Sequence, residues 1–214
     1  MVKTKICVLI SGGGTNLQAI IDYEKAGKLE SGELALVISD NPDAYGLVRA
    51  QNAGIKTAVV QADKSLEKTE RRADFEKRLS AVLAENGIEL IILAGFMRIL
   101  SENFTSQWPK SMINVHPSLI PSFCGEGFYG LKVHEAALAY GVKVTGATVH
   151  FVNEIPDGGE IIYQKAVEIK EGDTPEILQK RVMEEAEWVI YPEAVRLFAE
   201  NKLEVRENIV RRLD

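Results

Sequence analysis

Short apolar runs that alternate with charge-bearing helical stretches constrain this chain more than any other feature. Residues 5–10, 33–39, 56–60, 90–94 and 112–116 read as strands. Between them, 16–26 carries Leu17, Ile20 and Ile21 at helical spacing, and 45–53 reads as a helix stopped by Gly54. The stretch 69–86 places Phe75, Leu79, Val82 and Leu83 on one helical face. Strands apolar on both faces and joined by helices predict an α/β fold: a doubly wound, mostly parallel sheet with helices on both faces. From Val144 the pattern changes. Residues 144–152 and 161–167 are strand-like across the turn Pro156-Asp157-Gly158-Gly159, which predicts an antiparallel extension late in the chain. A long helix is expected from about Thr174, with Pro175 at its first position. No repeat or linker interrupts 1–214, so a single domain is expected.

With 214 residues, 46% of them hydrophobic, the chain can bury one sizeable core. Its longest apolar run, near Leu90 to Phe96, is far short of the ~20 residues that span a bilayer. The strand beginning at Lys5 has the wrong pattern for a signal peptide, and Cys7 and Cys124 form no redox or metal motif. A cytoplasmic protein with no membrane partner is the expectation. The net charge of −6 is interleaved along the chain, with no basic block for a nucleic acid. A phosphorylated ligand would have to be held by backbone amides.

Two stretches carry that kind of chemistry. The first, Ile10-Ser11-Gly12-Gly13-Gly14-Thr15-Asn16-Leu17, follows a strand and opens a helix. Glycines permit close approach, and a helix N-terminus offers N–H groups and a positive dipole end. The spacing fits neither a P-loop nor G-x-G-x-x-G. A plain tight turn with Asn16 as a cap is the alternative.

The second is Ile113-Asn114-Val115-His116-Pro117-Ser118. Residues two apart on a strand share a face, so Asn114 and His116 point together. A polar pair at the end of an apolar strand is costly unless its groups are satisfied or used. Pro117 also restricts the His116 backbone to extended geometry. An imidazole needs a third group to orient it, and Asp157 in the Pro-Asp-Gly-Gly turn is a candidate, although Asp before Gly-Gly is ordinary turn chemistry. His150 shares a strand face with Thr148, and a structural role suits it at least as well as a catalytic one. His134 lies on a predicted helix and carries no functional reading. The three histidines have no metal-ligand spacing, so no metal is expected.

Together these segments resemble the phosphoribosylglycinamide formyltransferases of purine biosynthesis. The resemblance also runs through Leu93-Ala94-Gly95-Phe96-Met97-Arg98-Ile99-Leu100, Gly146-Ala147-Thr148-Val149-His150-Phe151-Val152 and Tyr191-Pro192. It implies transfer of a formyl group from 10-formyltetrahydrofolate to the amine of phosphoribosylglycinamide, with Asn114, His116 and Asp157 as the catalytic set. It implies phosphate and ribose contacts at Gly12, Gly13, Gly14, Thr15, Asn16, Arg72 and Glu187. Folate contacts follow at Met97, Arg98, Ile99, Leu100, Val152, Asn153 and Glu154. The phosphate-substrate half would be about 1–100 and the folate and catalytic half about 101–214, in a monomer or homodimer with these small molecules as its only implied ligands. For Arg71 and Arg72 a solvated helix face is the competing reading.

Two departures stand out. Residues 122–131 are longer and richer in glycine than the family segment, which suggests a flap over the folate side. One residue too many lies within 183–187, ahead of Glu187. The rival functions are a hydrolase that releases formate from the same folate, for which an additional N-terminal domain is expected, and a catalytically silent binding protein.

Overall fold

Strands and helices alternate in the computed structural model as the periodicity predicts, and residues 2–213 are described. The chain forms two compact units, residues 1–113 and 114–214. The first contains β1 (Thr4–Ile10), α1 (Thr15–Lys25), β2 (Gly32–Ser39), α2 (Tyr45–Asn52), β3 (Lys56–Val59), α3 (Lys68–Glu85) and β4 (Leu90–Leu93). Its strands lie in the order β3-β2-β1-β4, and every pairing among them is parallel. Residues 6–10 of β1 and 90–92 of β4 are shielded on both faces, which explains why these strands read as unbroken apolar runs. Leu17, Ile20 and Ile21 of α1 and Phe75, Leu79 and Leu83 of α3 are buried.

A short helix, α4 (Glu102–Thr105), occupies the segment expected to be a plain connection. The Ser101 hydroxyl caps it by accepting from the Phe104 N–H, and Phe104 anchors it in the core. Glu76 of α3 accepts from both the Ser101 amide and its hydroxyl. That satisfies a carboxylate which would otherwise be costly to bury.

The chain enters the second unit within β5 (Met112–His116). After it come α5 (Leu131–Tyr140), β6 (Val144–Phe151) and β7 (Ile161–Glu168), with β6 and β7 antiparallel as expected. Their close pairing requires Gly146, where a Cβ would run into the Lys165 carbonyl.

The long helix expected from Thr174 is divided. α6 (Pro175–Val182), with Thr174 as its cap, leads into a π turn at Met183–Glu187 and then α7 (Trp188–Ala199). A π turn absorbs one extra residue without breaking the helix, and it falls where the sequence has one residue too many. Leu178 and Val182 before it, and Ile190, Tyr191, Ala194 and Val195 after it, all remain buried. A hairpin of β8 (Leu203–Arg206) and β9 (Ile209–Arg212) follows, which periodicity alone did not predict.

His134 of α5 is 1% exposed, and neither ring nitrogen has a hydrogen-bond partner. Burial, followed by the charge of His116, pulls its pKa from 6.5 to about 4. The folded state therefore binds fewer protons than the unfolded chain between these values. Stability attached to His134 is complete above pH 6.5 and is lost as pH falls toward 4, at up to ~1.4 kcal/mol per pH unit. Thermal unfolding of His134→Phe from pH 7.5 to 4.5 should show a shallower acid loss than wild type. Parallel curves would place the acid sensitivity elsewhere.

Candidate active site

In the first unit, α1 begins directly after the glycine loop, with Gly14 in the left-handed region at φ 70°. A side chain at Gly14 would meet Gly46 Cα at 2.7 Å, so packing requires glycine there. α2 holds the loop by its carbonyls: the Gly46 N–H donates to Gly12 O at 3.0 Å and Arg49 Nε donates to Gly13 O at 2.8 Å. In a trans peptide the N–H points opposite the C=O. The Gly13 and Gly14 amides are thereby turned away from α2. At Gly12 and Gly13, by contrast, a Cβ would meet nothing within 4 Å, and neither has a positive φ. Neither packing nor backbone conformation explains glycine at those two positions.

Other expected site residues of this unit have varied surroundings. Ser11 Oγ accepts from the Met97 N–H at 3.0 Å. Arg98 is ion-paired with Asp40 at 2.7 Å and lies over the Phe75 ring. Met97 and Ile99 are exposed, whereas Leu100 is buried. Arg72 is held by Glu76 at 3.3 Å. It lines a cavity of about 530 Å³ with Lys77, Ser80, Asn103 and Gln107, and residues 12–16 are not part of that lining.

In the second unit β5 delivers Asn114 and His116 to one face, and His116 is 4% exposed. Asp157 reaches it from the loop between β6 and β7: Oδ2 is 3.3 Å from His116 Nδ1. Asp157 adopts φ 56°, a left-handed conformation that Asp tolerates better than most residues. Gly159 lets the turn close, because a Cβ there would run into the Phe151 carbonyl.

The segment 122–131 supplies backbone partners to this cluster. The Gly125 N–H donates to Asp157 Oδ2 at 2.9 Å. His116 Nε2 lies 2.8 Å from Phe123 O, and Ser118 Oγ donates to Ser122 O. A carbonyl only accepts, so Nε2 carries the hydrogen and Nδ1 faces the carboxylate. A neutral ring can satisfy one of these two acceptors; an imidazolium satisfies both.

Burial lowers the His116 pKa, against the opposing pull of the Asp157 charge and the Phe123 carbonyl. For Asp157, burial acts upward, but the His150 ring, the His116 charge and the Gly125 amide together bring it below the ordinary carboxylate value. The set thus rests as a neutral imidazole beside an ionised carboxylate.

Asn114 Nδ2 lies 3.2 Å from Nε2 of His150, a buried residue whose Nδ1 is 2.7 Å from Phe151 O. Glu187 closes the π turn and is also buried. Val152 and Asn153 are half-buried and Glu154 is exposed; Asn153 Oδ1 accepts from the Ile155 N–H at 3.0 Å. Among the described residues no group of three or more His, Cys, Asp or Glu is placed to hold a metal ion.

The sequence gives no sign of Arg49, and it marks Phe123 and Gly125 only as members of the glycine-rich segment 122–131. The last two act through backbone atoms and Arg49 through a carbonyl 36 positions away, so no side-chain motif announces them.

A formyl transferase family model matches residues 4–195. The chain is 40% identical to a phosphoribosylglycinamide formyltransferase of Haemophilus influenzae, covering 96% of this chain and 92% of that protein. It is 45% identical to the human trifunctional purine biosynthetic protein adenosine-3, over 96% of this chain but only 19% of that longer protein. The crystal structure of glycinamide ribonucleotide transformylase 1 from Symbiobacterium toebii superposes with a TM-score of 0.88 at 44% identity, covering 99% of this chain and 95% of that one.

Because Asp157 raises the His116 pKa against the effect of burial, removing its charge should lower that pKa further. Titration of the His116 ring by NMR should give a midpoint below 6.5 in wild type and a lower one in Asp157→Asn. An unchanged or raised midpoint would remove Asp157 as the ring's electrostatic partner.

Proposed function

The chain belongs to the formyl transferase family, and on that ground we propose that it transfers the formyl group of 10-formyltetrahydrofolate to the amine of 5'-phosphoribosylglycinamide in purine biosynthesis. The observation that carries this reading is the grouping of Asn114, His116 and Asp157, which the sequence separates by 43 positions between its outer members, around a neutral buried imidazole. A hydrolase acting on the same folate would use the same set, with water in place of the amine.

Each member has a role that its chemistry suits. Asn114 donates an N–H toward the oxygen that gains charge as the amine attacks the formyl carbon; one such donor is typically worth ~10²–10³ in rate. His116 takes the proton released by the amine and returns it to the folate nitrogen as the formyl C–N bond to the folate breaks, which releases tetrahydrofolate. With Nε2–H committed to Phe123 O, Nδ1 is the nitrogen left to receive it. Asp157 stabilises the resulting imidazolium, in which both ring nitrogens meet an acceptor. No covalent enzyme intermediate is needed.

The acceptor phosphate is assigned to the amides of residues 12–16. Support comes from the carbonyls tied back to α2 and from two glycines that neither packing nor conformation requires. Arg72 and Glu187 complete the acceptor contacts in this reading. The folate contacts are Met97, Arg98, Ile99, Leu100, Val152, Asn153 and Glu154. The phosphate loop then belongs to the first unit and the Asn-His-Asp set to the second. The two free cysteines suit a cytoplasmic enzyme, acting as a monomer or homodimer. Among the described residues no helix is long and apolar enough to cross a membrane.

Purified protein should convert formyl-folate only when phosphoribosylglycinamide is present. Turnover without the acceptor would favour the hydrolase, and none in either case a silent binding protein. Asn114→Ala should lower kcat by ~10²–10³ with little change in acceptor affinity; a wild-type rate would remove it from the mechanism.

Gly13→Ala, which has room for its methyl group, should leave the melting temperature unchanged. It should raise the acceptor KM by about tenfold or more, equivalent to ~1.4 kcal/mol or more of binding. An unaltered KM would move the phosphate elsewhere.

A further inference from the structure

His150 is fixed more firmly than its packing requires. It is 2% exposed on β6, and its Nδ1 lies 2.7 Å from the Phe151 carbonyl. The carbonyl accepts, so Nδ1 carries the hydrogen, and in the tautomer protonated there alone Nε2 presents a lone pair. That lone pair faces the side-chain amide of Asn114 at 3.2 Å. Only the NH₂ end of an amide can donate to it, so the amide has one orientation in which this contact is favourable. The opposite orientation would set Oδ1 against the lone pair, two acceptors face to face.

We propose that His150 is the positioning residue for formyl transfer: by accepting one N–H of Asn114 it leaves the second N–H aimed at the oxygen on which charge develops. The inference rests on the formyl-transfer reading above. Asn114 is half-buried, and a free amide can rotate by 180° at little cost, exchanging donor for acceptor. An acceptor aimed at a developing oxyanion would repel it. His150 removes that alternative before substrate arrives, which is where the advantage of a fixed donor lies. Asp157 sets the His116 ring and His150 sets the Asn114 amide, so each member of the Asn-His pair has its own orienting partner. Asp157 Oδ1 is farther from His150 Nε2, at 3.6 Å, than Asn114 Nδ2 is, at 3.2 Å.

The test compares His150→Leu with His150→Gln, whose side-chain carbonyl can supply an acceptor near the lost Nε2. His150→Leu should lower kcat by about tenfold to a hundredfold with both KM values within about twofold, and His150→Gln should recover most of the loss. In Asn114→Ala the further change His150→Leu should cost almost nothing, because it acts through a group already removed. Independently of activity, the side-chain ¹⁵N–¹H resonances of Asn114 should shift and broaden in His150→Leu and return toward wild type in His150→Gln. A Leu variant with wild-type kcat and unchanged amide resonances would overturn the proposal, as would losses that add in the double variant. Should wild type show no formyl transfer, the functional reading fails; the amide resonances then still report whether His150 holds Asn114.

Discussion

The contact between the His116 ring and the Asp157 carboxylate organises the second unit. Two ionisable groups removed from water are tolerable only when each finds partners, and the local structure supplies them through backbone atoms. The Phe123 carbonyl meets one ring nitrogen, the Gly125 amide meets the carboxylate, and the left-handed turn at Asp157 brings the acid to the ring. Gly159 allows that turn to lie against β6. Burial holds the ring neutral while its acceptors suit the charged form, so the site is built for a proton it does not hold at rest.

The same segment, residues 122–131, bears on the flap suggested by its glycines. Its first part is hydrogen-bonded to His116, Asp157 and Ser118, and the Phe123 ring packs edge-on against Phe128 and Tyr140. A segment tied in this way sets the protonation geometry of His116 directly. Movement of the segment would take the Phe123 carbonyl from His116 and the Gly125 amide from Asp157.

Much of this was legible in the sequence because it depends on local periodicity. Strands buried on both faces must be apolar throughout, so β1 and β4 were readable; helices with one buried stripe show it as spacing, as α1 and α3 do. The Asn114 and His116 pair was readable for the same reason, since alternation along a strand fixes which side chains share a face. The hairpin of β8 and β9 was not, because half-exposed strands with many charges carry no strong period. α4 was missed because a single turn is too short to display one. The divided helix after Thr174 had only an indirect trace, a residue too many, whose accommodation as a π turn is a matter of backbone hydrogen bonding.

By itself the sequence determined the alternation of strand and helix, the glycine loop at the start of α1, and the residue types able to support acyl transfer. Those are local properties, set by side-chain polarity and backbone preference within a few positions. Only the tertiary structure decided that Asp157 meets His116, that His150 faces Asn114, and that Arg49 and Gly46 turn the loop carbonyls aside. Each of these joins positions far apart in the chain through a contact whose partner is a backbone atom or a ring nitrogen. Such contacts leave no spacing to read, because they follow from where strands and turns converge after folding.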